Sequence, residues 1–268
     1  YVFAQWFYDS YFKQKATAID RDVVGHKTFY AKFSKIQYRI MYLADNQSQG
    51  AVTDQFKEHG TPFTLESAGF FTRKGYGDQI GWAIVANGAK VYEFGGTYED
   101  DAPLTVYPAW GSPLVYTINY VCNGCTNDPN NRPDYTIETA TFSVKFADLI
   151  PPEGYKMVGW YSAPDYKTKV EQIKKGSFGD TTLYAKLNKI YHITYVLNGS
   201  ADDRNKDDYT VDDNTYTLNA PAPVEGYTFA GWFDNADFEG DAVTEIPNGS
   251  TGDKIFYAKW TPEVYSIV

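Results

Sequence analysis

Short aromatic runs of alternating apolar and polar residues recur along this chain, and four of them carry a tryptophan at their third position. They read Ala4-Gln5-Trp6-Phe7, Ile80-Gly81-Trp82-Ala83, Val158-Gly159-Trp160-Tyr161 and Ala230-Gly231-Trp232-Phe233. Roughly 25 residues after each tryptophan comes a second run. These are Tyr30-Ala31-Lys32-Phe33, Tyr107-Pro108-Ala109-Trp110, Tyr184-Ala185-Lys186-Leu187 and Tyr257-Ala258-Lys259-Trp260. Alternation with a period of two predicts strands. The tryptophans stand 76, 78 and 72 residues apart, which makes the chain a tandem array of small units and not one enzyme-sized domain.

The last unit is the most legible. Residues 191–197 alternate like a strand, and Asn198-Gly199 marks a turn. A polar stretch over 201–214 is too charged for a core. Residues 216–218 read as a second short strand, and Ala220-Pro221-Ala222-Pro223 forbids a regular strand or helix. After the tryptophan strand, residues 241–246 are expected to make one helical turn with Val243 and Ile246 on one side. The closing strand then faces Phe256, Ala258 and Trp260 one way and Tyr257 and Lys259 the other.

The third unit repeats this order, with Val170 and Ile173 at the helical-turn positions. The second diverges, keeping the strand at 38–42, Trp82 and Trp110. Pro108 in its closing strand predicts incomplete backbone pairing there. The expected divisions are 1–36, a carboxy-terminal half-repeat; 37–114, a divergent repeat; 115–190 and 191–262, two full repeats; and 263–268, the first strand of a further one. Tyr1 aligns with Tyr155 and Tyr227, and the final Val264-Tyr265-Ser266-Ile267-Val268 matches the opening Val115-Tyr116-Thr117-Ile118-Asn119. Nearly linkerless boundaries predict stiff coupling between neighbours.

Units of ~75 residues sit near the lower limit for a self-supporting core. An aromatic content of 18% supplies the missing payload, and 24 Tyr against two Met favour strands over helices. No apolar run is long enough to span a membrane. The lack of an initiator Met and of a signal-like segment suggests an excised or processed piece. A net charge of −10 argues against nucleic acid as a partner. Residues 1–36 hold six Lys/Arg against three Asp, whereas 191–268 hold four against fourteen Asp/Glu. Such a basic head and acidic tail favour end-to-end self-association at low salt, unless the charges merely sit on solvated surfaces.

The fourth unit runs Ile193-Thr-Tyr-Val-Leu-Asn-Gly199, then Gly226-Tyr-Thr-Phe-Ala-Gly-Trp-Phe233, then Gly240-Asp-Ala-Val-Thr-Glu-Ile-Pro-Asn-Gly249, and finally Phe256-Tyr-Ala-Lys-Trp-Thr-Pro262. This pattern resembles the Listeria–Bacteroides repeat, also called the internalin B-repeat family. The resemblance covers nearly the whole chain, most fully in the last two units. It implies an α+β, predominantly β fold built of β-grasp-like repeats, carried in tandem by secreted or wall-anchored bacterial proteins. It also implies a role as adhesin segment or stalk, with no catalytic residues.

Candidate chemistry is sparse. Cys122-Asn123-Gly124-Cys125 straddles a turn after a strand, a setting unlike a redox helix start. It fits either a local disulfide, contributing only about 2 kcal/mol over so short a loop, or two reduced structural thiols. The acidic loop around Asp202, Asp203, Asp207, Asp208, Asp212 and Asp213 lacks calcium-site spacing and is interrupted by Arg204 and Lys206. His26, His59 and His192 fall at unrelated positions, and no nucleophile–base set or metal ligand set is visible; neither a cofactor nor a metal is expected. Recurrence at one place per unit marks Trp6, Trp82, Trp160 and Trp232 as core, and Trp110 and Trp260 are expected there too. Outward Tyr184 and Tyr257 are the candidates for binding. The sequence therefore predicts a non-catalytic, extracellular stalk, spacer or adhesin segment at a bacterial cell surface or wall. The alternatives are a module binding host glycan or protein, and a filament subunit assembling through its end units.

Overall fold

The computed structural model describes residues 1–264, so four of the six residues expected to begin a further repeat lie outside the described part. The chain divides into two compact bodies. One is Tyr1–Val115 with Thr136–Glu138; the other is Tyr116–Tyr135 with the chain from Thr139 onward.

In the second body the two later repeats share one topology. The opening strand, Tyr116–Val121 or Tyr191–Val196, lies parallel to the closing strand, Thr181–Lys189 or Lys254–Pro262. The tryptophan strand, Tyr155–Tyr161 or Tyr227–Phe233, pairs antiparallel with the other edge of the closing strand. A two-residue edge strand, Asp134–Tyr135 or Asp208–Tyr209, completes a four-stranded sheet in the order edge, opening, closing, tryptophan. A two-stranded cover, Phe142–Ser143 with Gln172–Ile173 or Tyr216–Thr217 with Glu245–Ile246, lies outside that sheet. In the first body, residues 37–114 build the same sheet order from Gln55–Glu58, Gln37–Tyr42, Leu104–Trp110 and Gln79–Ala83. Residues 1–36 contribute the hairpin Val2–Phe7 with Tyr30–Ser34.

Each complete repeat has its own core. Trp82, Trp160 and Trp232 are 0%, 1% and 2% exposed. Each packs against a tyrosine ring from the opening strand: Tyr42 at 4.8 Å, Tyr120 at 5.1 Å and Tyr195 at 5.1 Å between ring centroids. Leu183 and Ala185, or Phe256 and Ala258, supply the closing-strand floor. The Gly before each tryptophan is required by geometry. Gly81 and Gly231 hold φ of 147° and 133°, and a Cβ would lie 2.5 Å from the Tyr92 carbonyl or 2.7 Å from the Ala242 Cβ. In the last two repeats a register shift falls between Met157 and Gly159 and between Phe229 and Gly231, a bulge that lets the indole turn inward.

Two expectations are corrected. No residue among those described is helical, so the fold is all-β and not the α+β, β-grasp-like class. The segment 241–246 makes no helical turn: Val243 bridges to Trp232, and Glu245–Ile246 pairs with Tyr216–Thr217. A bent β segment brings residues three apart to one side as well as a helix does. Trp6 is the second correction. It is 49% exposed, because the described residues of 1–36 form only a hairpin and place no opening-strand tyrosine or cover over it. Pro108 sits opposite Trp82, beyond Val106↔Tyr42, where the parallel ladder on its other side ends.

Replacing Trp232 by Ala should lower the unfolding free energy by about 3–5 kcal/mol, read from chemical denaturation followed by circular dichroism. Trp6→Ala should cost about 0.5 kcal/mol or less. Equal losses at the two positions would contradict this assignment of the cores.

Candidate functional site

Six residues after three of the tryptophans stands a second aromatic: Phe12, Tyr166 and Phe238. Each has a positive φ, of 61°, 53° and 56°, in the left-handed region that bulky residues avoid. The turn enforces it. The N–H groups of Phe12, Tyr166 and Phe238 donate to the carbonyls of Asp9, Ala163 and Asn235. Asp9 also accepts from the N–H groups of Tyr11, Lys13 and Gln14, and its carboxyl is held below the usual range chiefly by the Gln14 bond. Each aromatic packs edge-on against the residue after the tryptophan, at 5.4 Å (Phe7–Phe12), 5.6 Å (Tyr161–Tyr166) and 5.7 Å (Phe233–Phe238). Such contacts contribute about 0.5–1.5 kcal/mol and offset the backbone strain.

The lysine of Tyr-Ala-Lys completes this platform in two repeats. Lys32 lies 5.7 Å from both rings of its pair, and Lys259 lies 4.9 and 5.6 Å from the Phe233 and Phe238 rings. Lys186 instead reaches into the following repeat and pairs with Asp212.

Beside the platforms of the last two repeats lie two grooves in equivalent places. One, of about 460 Å³, is lined by Asn198, Phe238, Tyr257 and Trp260 among others; its counterpart, of about 430 Å³, by Asn123, Tyr155, Tyr166 and Leu187. The asparagines belong to turns in which Asn and Gly both hold positive φ. Their side chains cross to the closing strand, Asn123 to the Ala185 carbonyl at 2.9 Å and Asn198 to that of Ala258 at 2.8 Å. Asn123 also donates to the Tyr166 hydroxyl at 3.0 Å. A third groove of about 540 Å³ in the fourth repeat has Tyr257 in its wall beside Asp234, Glu245 and Asp253.

The residues singled out in the sequence are thus dispersed. Trp110 and Trp260 are half-buried at the core margin, Trp260 donating its indole N–H to the Leu197 carbonyl at 3.0 Å. Tyr184 and Tyr257 are half-buried on the outer side, and Tyr257 reaches a groove. Cys122 and Cys125 are free thiols packed against the core, where the last repeat has Leu197 and Ser200, so the disulfide is not formed here. Burial, with the Cys122 thiol adding to it, pushes the Cys125 thiol up to about 12. The acidic-loop carboxylates are used internally: Asp202 and Asp203 accept the N–H groups of Arg204 and Asn205, and Asp213 pairs with Lys206. The platform aromatics went unread, although an aromatic six residues beyond three of four tryptophans is a visible signal.

The model of the Listeria-Bacteroides repeat domain matches residues 116–186 and 191–259. A protein of Evansella cellulosilytica named "Putative Gly-rich membrane protein" is 25% identical over 257 residues, covering 90% of this chain and 26% of that protein. A second from the same organism, named "Putative membrane protein", is 28% identical over 182 residues, covering 61% of this chain and 24% of its own length. The chain therefore spans about a quarter of the length of these relatives.

Alkylation of Cys125 by iodoacetamide at pH 8 should run at least about a hundredfold slower in the folded chain than in urea, because so little of the thiol is ionised. Peptide mass spectrometry reads the rate, and equal rates would contradict the raised thiol pKa.

Proposed function

The chain belongs to the Listeria-Bacteroides repeat domain family, and from that premise we propose that it is a stiff, non-catalytic spacer or adhesin segment of an extracellular bacterial surface protein. The observation that carries this reading is the join within the second body. The closing strand of one repeat ends at Lys189, and the opening strand of the next begins at Tyr191. So short a connection leaves little freedom for the two repeats to swing. The Lys186–Asp212 pair spans the join, and Asn188, itself buried, bonds the same carboxylate. The names of the relatives support attachment of such an array to a membrane-borne protein, and no helix of the described residues is long and apolar enough to cross one itself.

Concatenated chains carrying one, two and four copies of residues 116–262 test the reading by small-angle X-ray scattering. A maximum dimension that grows in proportion to copy number supports a stiff spacer. Growth nearer the square root of copy number, as for a flexible chain, would sink it.

The Asp212 carboxyl is held below its ordinary value of 3.8, first by the Lys186 hydrogen bond and then by Asn188. Its stabilising contribution is therefore complete above pH 3.8 and disappears as pH falls through the lower folded value. At this partly exposed site it amounts to no more than about 1 kcal/mol. Asp212→Asn should melt slightly lower than the parent at pH 7, and the gap should narrow as pH falls below 3.8. A constant difference across that range would disprove the linkage.

A further inference from the structure

The two equivalent grooves share a property that the composition of the chain makes unexpected. None of the residues lining either one is charged, although 22% of the chain is. The excess of acid in residues 191–268 makes this more pointed for the fourth repeat. Lys259 stands over the Phe238 ring but outside the lining, so the walls themselves present no cation to a phosphate, sulfate or acidic polymer and no carboxylate to a basic peptide. What the walls present instead is aromatic surface with hydroxyl and amide groups. Phe238, Tyr257 and Trp260 line one groove, Tyr155 and Tyr166 the other. Asn198 uses one amide hydrogen on the Ala258 carbonyl, leaving its second hydrogen and Oδ1 to a ligand.

A second observation points the same way. Tyr166 and Phe238 are held at the groove walls with φ of 53° and 56°, where Gly or Asn would fit at less cost. The packing on Tyr161 and Phe233 holds each ring there against that strain, so the wall is fixed before any ligand arrives. We infer that the two grooves are subsites for a neutral saccharide chain. Sugar C–H faces would lie against Phe238 and Trp260 in the fourth repeat and against Tyr155 and Tyr166 in the third, and sugar hydroxyls would meet the phenols and the Asn198 amide. Two like subsites in tandem suit a repeating polymer, because occupying one raises the effective concentration at the other.

The test is a titration of the whole chain with cellotetraose, chitotetraose and maltotetraose, beside a heparin-derived tetrasaccharide. Tryptophan fluorescence reports on Trp260, and NMR shifts report on both grooves. At least one neutral tetrasaccharide is expected to saturate both grooves below about 10 mM. The pair Tyr166→Asn and Phe238→Asn removes both rings with a residue that tolerates the left-handed backbone, and should weaken binding at least tenfold with the melting temperature kept. If that variant fails to fold, Tyr155→Ser decides. It changes a residue 41% exposed, and should weaken binding in the third-repeat groove while leaving the fourth unaffected. No response to any neutral sugar, a response to the sulfated one alone, or full affinity in the decisive variant would overturn the inference.

Discussion

A buried indole carries one donor that must be satisfied, and the architecture of each complete repeat follows from how that is done. The Nε1 hydrogens of Trp82, Trp160 and Trp232 go to the backbone carbonyls of Glu66, Lys145 and Asn219, at 3.1, 2.8 and 2.8 Å. Those carbonyls lie in the long crossover between the opening and closing strands. A donor left unpaired there would cost about 1–3 kcal/mol, so the crossover must pass over the tryptophan at one defined point. Once it does, the cover strands fall into place on the same side. The tyrosine of the opening strand closes the other flank, its hydroxyl bonding back to the chain just beyond, as Tyr120 does to the Arg132 carbonyl and Tyr195 to that of Lys206. Burial shifts both phenols upward, to about 12 for Tyr120.

Parallel pairing of the opening and closing strands then needs its own fastening, because the two are some sixty residues apart and loop closure works against them. The fastening is a carboxylate. Asp180 and Asp253, just before or at the start of the closing strands, accept the N–H groups of Thr117 and His192 at 2.8 and 2.9 Å. The edge tyrosines, Tyr135 and Tyr209, donate to the carbonyls of the preceding glycines, Gly179 and Gly252. The Gly-Asp pair before each closing strand is thus a clasp as well as a turn. His192 enters this clasp through its backbone N–H.

Much of this was legible in the sequence because it is periodic. Four Gly-Trp-like runs and four Tyr-Ala-Lys-like runs at a fixed spacing state the tandem array, the tryptophan strands and the closing strands. Asn198-Gly199 states its turn through the backbone that only those residue types adopt readily. What was misread depends on contacts between distant parts of the chain. Val243 and Ile246 satisfy a helical period and a bent β segment equally, and the hydrogen bonds that decide between them come from Trp232, Thr217 and Tyr216. Trp6 carries the local signature of a core residue, yet the described residues leave it 49% exposed. For Cys122 and Cys125 the sequence left a bridge and two reduced thiols both open; the free thiols lie against the core where the neighbouring repeat puts Leu197 and Ser200.

The platform aromatics show a different limit. Phe12, Tyr166 and Phe238 recur in three of the four units, yet no period of strand or helix predicts a ring at a left-handed turn. Their meaning comes from the division of labour along the closing strand. One set of its residues, Phe256 and Ala258, is committed to the core and leaves little room for variation. The alternate set is free of that demand, and the same lysine does different work in successive repeats. Lys186 ties its repeat to the next one, while Lys259 lies over the Phe233 and Phe238 rings. The ring at the left-handed turn is held from that same outer side, by its edge-on contact with the residue after the tryptophan. The closing strand of the fourth repeat thus gives Phe256 and Ala258 to the core and Tyr257 to the groove wall.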